Sequence, residues 1–254
     1  MVKGLDKFKD FFKEFSKNYL LIGGAACDRH LENAGLEFRA TKDLDIVLIV
    51  EAYSTDFVKR FWEFIEEGNY EIKEKSTGKK NYYRFKKPSD DSFPWQLELF
   101  ARKPEITLSE DARLTPIPVG EDATSLSAIL LNDEYFNFTI KNSEVIEDIP
   151  IASTGALICL KASAHLDLKK RKKNGEKVDD KDIKKHRNDI IRLAAILADQ
   201  NIEDLPQQLK DDLIEVISDF KKENPDVSAI GKSLGITNLN ITDIIKQLEK
   251  TFTL

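Results

Sequence analysis

Cysteine is scarce in this chain of 254 residues. The two that occur, Cys27 and Cys159, sit inside apolar helical patterns with no metal-ligand spacing between them. They read as small buried hydrophobes rather than as a disulfide or a zinc site. Long apolar runs are missing too, since none approaches the ~20 residues that a membrane span needs. The first ten residues alternate charge with aromatics and lack the apolar core of a signal peptide. A reducing, cytoplasmic setting without membrane association is the expectation. Positive charge is in deficit, with 39 Lys and Arg against 45 Asp and Glu and a formal net charge of −6. The chain as a whole is therefore no electrostatic trap for nucleic acid, although a local basic patch stays open. There is no internal repeat, and the only biased segment is a basic stretch around 169–185.

What remains is ordinary globular material, 41% hydrophobic and 33% charged, enough for one large domain or two modest ones. Leu5, Phe8, Phe11/Phe12 and Phe15 fall at helical spacing. Tyr19-Leu20-Leu21-Ile22 reads as a buried strand ended by Gly23-Gly24, with a helix from Ala25 to Asn33. A strong strand spans Leu44 to Val50, and an amphipathic helix spans Thr55 to Glu67. Strand-like pieces follow at Tyr70 to Glu74, Asn81 to Phe85 and Trp95 to Phe100. From Pro150 onward the period turns helical, over 153–172, 180–199, 204–222 and 239–252. The spacing thus predicts an α+β chain with a boundary near residue 150, dividing 1–150 from a helical 151–254.

The chemistry concentrates in Thr41-Lys42-Asp43-Leu44-Asp45-Ile46. In a strand, residues two apart share a face, so Asp43 and Asp45 project together while Leu44, Ile46 and Leu48 take the other side. Two neighbouring carboxylates at the start of a buried strand repel each other and are costly to desolvate. A divalent cation such as magnesium supplies the missing charge. The plain alternative is a solvated turn before a strand. Two further features bear on the choice. The Gly23-Gly24 turn opens a helix whose N–H groups and dipole suit phosphate oxygens. Glu98 lies on the opposite face of its strand from Leu97 and Leu99, an acid planted in an otherwise apolar sheet or, equally, a surface-facing residue of an edge strand.

Gly-Gly, then Asp-x-Asp, then a lone acid on a later strand resembles the nucleotidyltransferase superfamily that includes DNA polymerase beta. The nearer resemblance is to its branch of AbiEii-type toxins and aminoglycoside nucleotidyltransferase-like proteins. It rests on Leu21 to Ala26, Thr41 to Ile46 and Leu97-Glu98-Leu99. It extends more weakly to Ile149 to Ser153, the helix bearing Lys161, and Lys181-Asp182 with Asp189-Ile190. The resemblance implies a nucleotidyltransferase-type mixed β-sheet flanked by helices, followed by an all-helical C-terminal domain, with nucleotide bound between them. It implies transfer of a nucleoside monophosphate from an NTP to an acceptor hydroxyl, with release of pyrophosphate. Two Mg2+ ions, replaceable by Mn2+, would be held by Asp43, Asp45 and Glu98, the last also taking the acceptor's proton. Gly23, Gly24 and Lys161 would bind the triphosphate, and Asp189 the base or acceptor. The acceptor is left open among tRNA, protein and small molecule, and a toxin of this branch would have a cognate antitoxin as partner. The chain departs from the pattern in carrying Gly24 where serine is common and Glu98 where aspartate is usual. The alternative is a catalytically silent relative that binds a nucleotide or a partner.

Three other features have plainer readings. The basic run Lys169 to Lys173 is expected to be a solvated helix end. His186 sits on the apolar stripe of Ile183, Ile190, Leu193 and Leu197 and is expected to pack. Tyr82 to Phe85 reads as sheet material.

Overall fold

The computed structural model describes residues 2–49, 54–74, 80–101, 106–107, 113–114, 132–198 and 201–254. Its centre is a seven-stranded mixed sheet. In chain order the strands are β1 (Tyr19–Ile22), β2 (Asp43–Leu48), β3 (Glu71–Glu74), β4 (Lys80–Lys86), β5 (Gln96–Ala101), β6 (Ile106–Thr107), β7 (Arg113–Leu114), β8 (Ser143–Ile146) and β9 (Ile149–Ala152). Across the sheet they run β3-β4-β5-β2-β1-β9-β8, while β6 and β7 pair separately. The neighbours β2/β5 and β1/β9 are parallel, and the other pairs of the large sheet are antiparallel.

The helices are α1 (Leu5–Phe12), α2 (Gly23–Asn33), α3 (Thr55–Glu67), α4 (Asp133–Lys141), α5 (Thr154–Lys173), α6 (Asp180–Ala194), α7 (Gln207–Glu223), α8 (Ser228–Ser233) and α9 (Ile241–Thr251). None of the described helices is long and apolar enough to cross a membrane. After β9 every described element is helical, and the sequence period anticipated this to within a few residues. The strand β9 itself straddles residue 150, where the helical pattern was expected to begin.

An aromatic cluster joins α1 and α3 to the sheet. Phe8 and Phe12 stack on Tyr19 of β1 and Phe64 of α3, and Phe61 meets Phe85 of β4. Such rings combine a large buried area with edge-to-face contacts worth roughly 0.5–1.5 kcal/mol per pair. Behind the sheet, α5 is buried almost all round in its first half, from Gly155 to Ala162. A helix with no polar face in that stretch can only be a central one, and the buried residues of α5, α6 and α7 join those of the sheet in one hydrophobic cluster. Cys27 and Cys159 are free and buried, as their apolar surroundings implied.

The hairpin β8–β9 and the helix α4 were not legible as elements. The β8–β9 turn is Glu147-Asp148, both at positive φ (50° and 66°), where Asn-Gly would have announced a two-residue hairpin. Three of the four β8 residues are exposed, so no alternation marks that strand. The helix from residue 180 ends at Ala194, short of the expected 199, which lies outside the described residues. So do Val50, the expected end of β2, and the side chains of Tyr82 and Tyr83.

Candidate active site

Register places the acids. Ile22 of β1 pairs with Asp45 of β2, Asp45 with Glu98 of β5, and Glu98 with Arg84 of β4, so one row of residues crosses four strands. Side chains in such a row share a face, and Asp43 joins them two residues before Asp45. On the opposite face Leu44, Ile46, Leu97 and Leu99 are fully or almost fully buried, as the alternation predicted.

The turn from β1 into α2 is built against Asp45. Gly23 has φ of 68°, and a Cβ there would lie 1.8 Å from Asp45 Oδ2, so both the backbone angle and the carboxylate demand glycine. Gly24 is constrained from the other side. Its Cβ would come within 2.7 Å of Thr41 Oγ1, which explains why no serine stands there. The helix begins at Gly23 itself, so both glycines belong to its first turn. Ser54, Asn132, Ser153, Asp179 and Asn240 cap their helices with side chains, whereas Ile22, preceding α2, offers none. Among the described residues no N-cap side chain accepts from the first N–H groups of α2, at the place where a helix best receives an anion.

Gly23, Gly24, Asp43, Asp45 and Glu98 line a cleft of about 350 Å³, together with Arg39, Lys161, Lys185 and His186. Its electrostatics are divided. Burial, then Glu98, then Asp43 push the Asp45 carboxyl up to about 7, against the opposing pull of Lys161 and Lys185. Burial also pushes Glu98 up, and Arg84 pulls it back only in part. Lys161 is 6% exposed, and its Nζ lies 3.4 Å from Asp189 Oδ2. Burial opposes its charge. The fields of Cys27, Asp189 and Asp45 outweigh that cost and hold the ammonium above its ordinary value. Burial pushes the Cys27 thiol up to about 12, so near neutrality the two aspartates supply the negative field.

Asp189 has a different place from the one the resemblance implied. It is completely buried, and Arg39 grips it with Nε at 3.1 Å and Nη2 at 2.9 Å. Arg192 Nη1 adds a contact at 3.4 Å. Its oxygens are committed inside the protein, and it is not among the residues lining the cleft. Glu98 is engaged as well, in an ion pair with Arg84 that leaves the two side chains 13% and 17% exposed.

The donor set fits a divalent cation in part. Asp43 and Asp45 offer hard oxygen ligands, and the upward shift of Asp45 marks a carboxylate pair short of positive charge. Among the described residues no group of three His, Cys, Asp or Glu side chains is arranged to hold a metal ion. Glu98 would complete one only by exchanging Arg84 for it.

Arg39, Arg84 and Lys185 escaped the sequence reading. Arg39 and Asp189 are 150 residues apart, and no local periodicity links them. Arg84 had a signal, since it alternates with Phe85 as Glu98 does with Leu99. The basic run ending α5 is largely spoken for, with Lys169 on Asp219 and Glu223, Arg171 on Glu176 and Lys172 on Asp180. His186, expected to pack, is half-buried on α6 and also lines the cleft. Comparison with protein-family models, curated proteins and solved structures found no match to the chain.

Proposed function

We propose that the protein is a nucleotidyltransferase that moves a nucleoside monophosphate from a nucleoside triphosphate to an acceptor hydroxyl. The observation that carries this reading is the divided cleft: carboxylates short of positive charge and cations in surplus line one cavity around an uncapped helix N-terminus. That combination suits a ligand that brings both metal and phosphate, and a metal–triphosphate is such a ligand.

In this reading the N–H groups at Gly23 and Gly24 receive phosphate oxygens, and Lys161 neutralises the charge that builds on the departing group. The acceptor oxygen attacks the α-phosphorus while the bond to the bridging oxygen breaks, and pyrophosphate leaves with that electron pair. The acceptor's proton passes to Glu98, whose buried carboxylate is a stronger base than a solvated one. Magnesium or manganese held by Asp43 and Asp45 would supply the positive charge that this wall lacks. Residues 1–150 would form the catalytic head and 151–254 its helical companion, with Lys161 reaching from one to the other. The acceptor class stays open among RNA, protein and small molecule.

The test is incubation with each labelled nucleoside triphosphate, magnesium and either total RNA or total protein. Label should enter one pool and be lost in Asp45→Asn and Glu98→Gln. Transfer at the native rate in Asp45→Asn would sink the proposal. One observation favours the second reading, a silent nucleotide-binding relative: Arg84 already occupies Glu98. That reading expects triphosphate binding with no pyrophosphate released, whether RNA, protein or a small-molecule extract is supplied as acceptor.

A further inference from the structure

We infer that Arg39 is a phosphate-binding residue of the cleft, and that Asp189 is the positioning residue that fixes Arg39 and Lys161 as a rigid pair of cations. The inference deepens the proposed function, on which it rests for taking the ligand to be a nucleotide's polyphosphate.

One carboxylate, Asp189, faces three cations: Arg39 through both of its oxygens, Lys161 at 3.4 Å and Arg192 at 3.4 Å. Among the described residues none of the three cations has a second carboxylate within ion-pair distance. The three cations thus share one ion-paired carboxylate and otherwise feel only the more distant field of Asp45, with side-chain exposures of 24% for Arg39, 8% for Lys161 and 13% for Arg192. Charge left unpaired at such depth is costly, and an anion relieves it.

Geometry says where that anion goes. Arg39 and Lys161 line the cleft, while Asp189 and Arg192 stand behind them. The Arg39 guanidinium spends Nε and one edge of Nη2 on Asp189, and the Phe38 ring lies 4.8 Å from its centre. A fork anchored in this way has lost its rotamer freedom before any ligand arrives; Nη1 makes only a long contact of 3.5 Å to the Ala40 carbonyl, so it and the outer edge of Nη2 are set for better oxygen acceptors. Lys161 brings a second cation from α5, anchored on the same carboxylate. Two fixed cations beside the N-terminus of α2 match a chain of phosphates better than a single carboxylate, which one arginine would satisfy.

Asp189 thus acts through Arg39 and Lys161 rather than by touching ligand. Arg192, on the same helix as Asp189, helps to keep it ionised.

The experiment measures binding of inorganic tripolyphosphate by calorimetry without metal, in the native protein and in Arg39→Lys, Lys161→Met and Asp189→Asn. Arg39→Lys keeps the charge and loses the fork, and it should weaken binding about 10-fold. Asp189→Asn should weaken binding at least as much, yet by less than 2-fold when placed on an Arg39→Lys/Lys161→Met background. That coupling is what separates positioning from bulk stabilisation. If Asp189→Asn does not fold, Arg39→Lys alone decides, since Arg39 is part-exposed and the variant keeps its ion pair. Native affinity in Arg39→Lys overturns the inference, and so does an Asp189→Asn effect of equal size on both backgrounds. A protein that binds tripolyphosphate through Arg39 but transfers no nucleotide would keep this inference and discard the transferase reading. Transfer that survives with native tripolyphosphate affinity in Arg39→Lys would do the reverse.

Discussion

Asp45 and Asp189 are carboxylates of the same type, Asp45 half-buried on the wall of the cleft and Asp189 fully buried, and their acidities move in opposite directions. Burial pushes each of them up. At Asp45 the nearest strong influence after burial is another acid, Glu98, and the carboxyl rises to about 7. At Asp189 the next influences are Lys161, Arg39 and Arg192, and the carboxyl is held below its ordinary value. The difference lies wholly in the neighbours. The comparison teaches which acid is finished and which is waiting. Asp189 already has more positive charge than it needs and serves the interior of the protein. Among the described residues Asp45 has no ion-pair partner, only the more distant pull of Lys161 and Lys185, and it faces the cleft, where a cation from outside can pair with it.

The comparison can be tested from its strongest side first. Asp189→Asn leaves Arg39, Lys161 and Arg192 together without a carboxylate. Breaking a buried pair in this way is expected to cost about 3–5 kcal/mol of folding stability, read from urea unfolding. A loss below about 1 kcal/mol would show that the three cations escape to solvent. Gly23→Ala comes next. It places a Cβ on the Asp45 carboxylate and forces a left-handed φ on alanine, for an expected loss of about 1–3 kcal/mol. An Asp45→Asn partner should not rescue it, because asparagine fills the same space.

The opposite sign is expected at Asp45 itself. In metal-free buffer at neutral pH, Asp45→Asn removes a charge that burial and Glu98 both resist, so the variant should gain about 1–2 kcal/mol while losing metal-dependent triphosphate binding. A destabilised Asp45→Asn would mean that the native carboxylate is already compensated.

The smallest effect concerns His186, which lines the same cleft and is held neutral. Burial first, and then Lys161, lower its pKa from 6.5 to about 3. The unfolded chain takes up this proton below pH 6.5 and the folded chain does not, so stability must fall as pH drops through that window. By pH 5.5 the loss should be about 1 kcal/mol. His186→Gln should flatten that part of the pH profile, and an unchanged profile would place the histidine in contact with solvent.

Much of the acid wall was legible in the sequence because strand geometry is local. A period of two is enough to put Asp43 with Asp45 against Leu44 and Ile46, and Glu98 against Leu97 and Leu99, and the structure has them so. The helices after residue 153 were legible for the same reason, since a period of 3.6 needs only a few turns of context. The cation wall was not. Lys161 stood out by being a lysine in an apolar run, but Arg39 and Arg192 carry no local mark of their common partner. Asp189 looked like any acid on the flank of a helix.

What the sequence by itself determined is therefore the order of the elements, the faces of β2 and β5, and a break at glycine between β1 and α2. All of these follow from the stereochemistry of residues within a few positions of one another. Only the tertiary structure decided which charges meet. It laid Glu98 beside Arg84 through strand register, brought Arg39 to Asp189 across 150 residues, and, among the described residues, left Asp45 without an ion-pair partner. An ion pair depends on distance through space and on the water excluded around it, and neither is written in the spacing of residues along a chain.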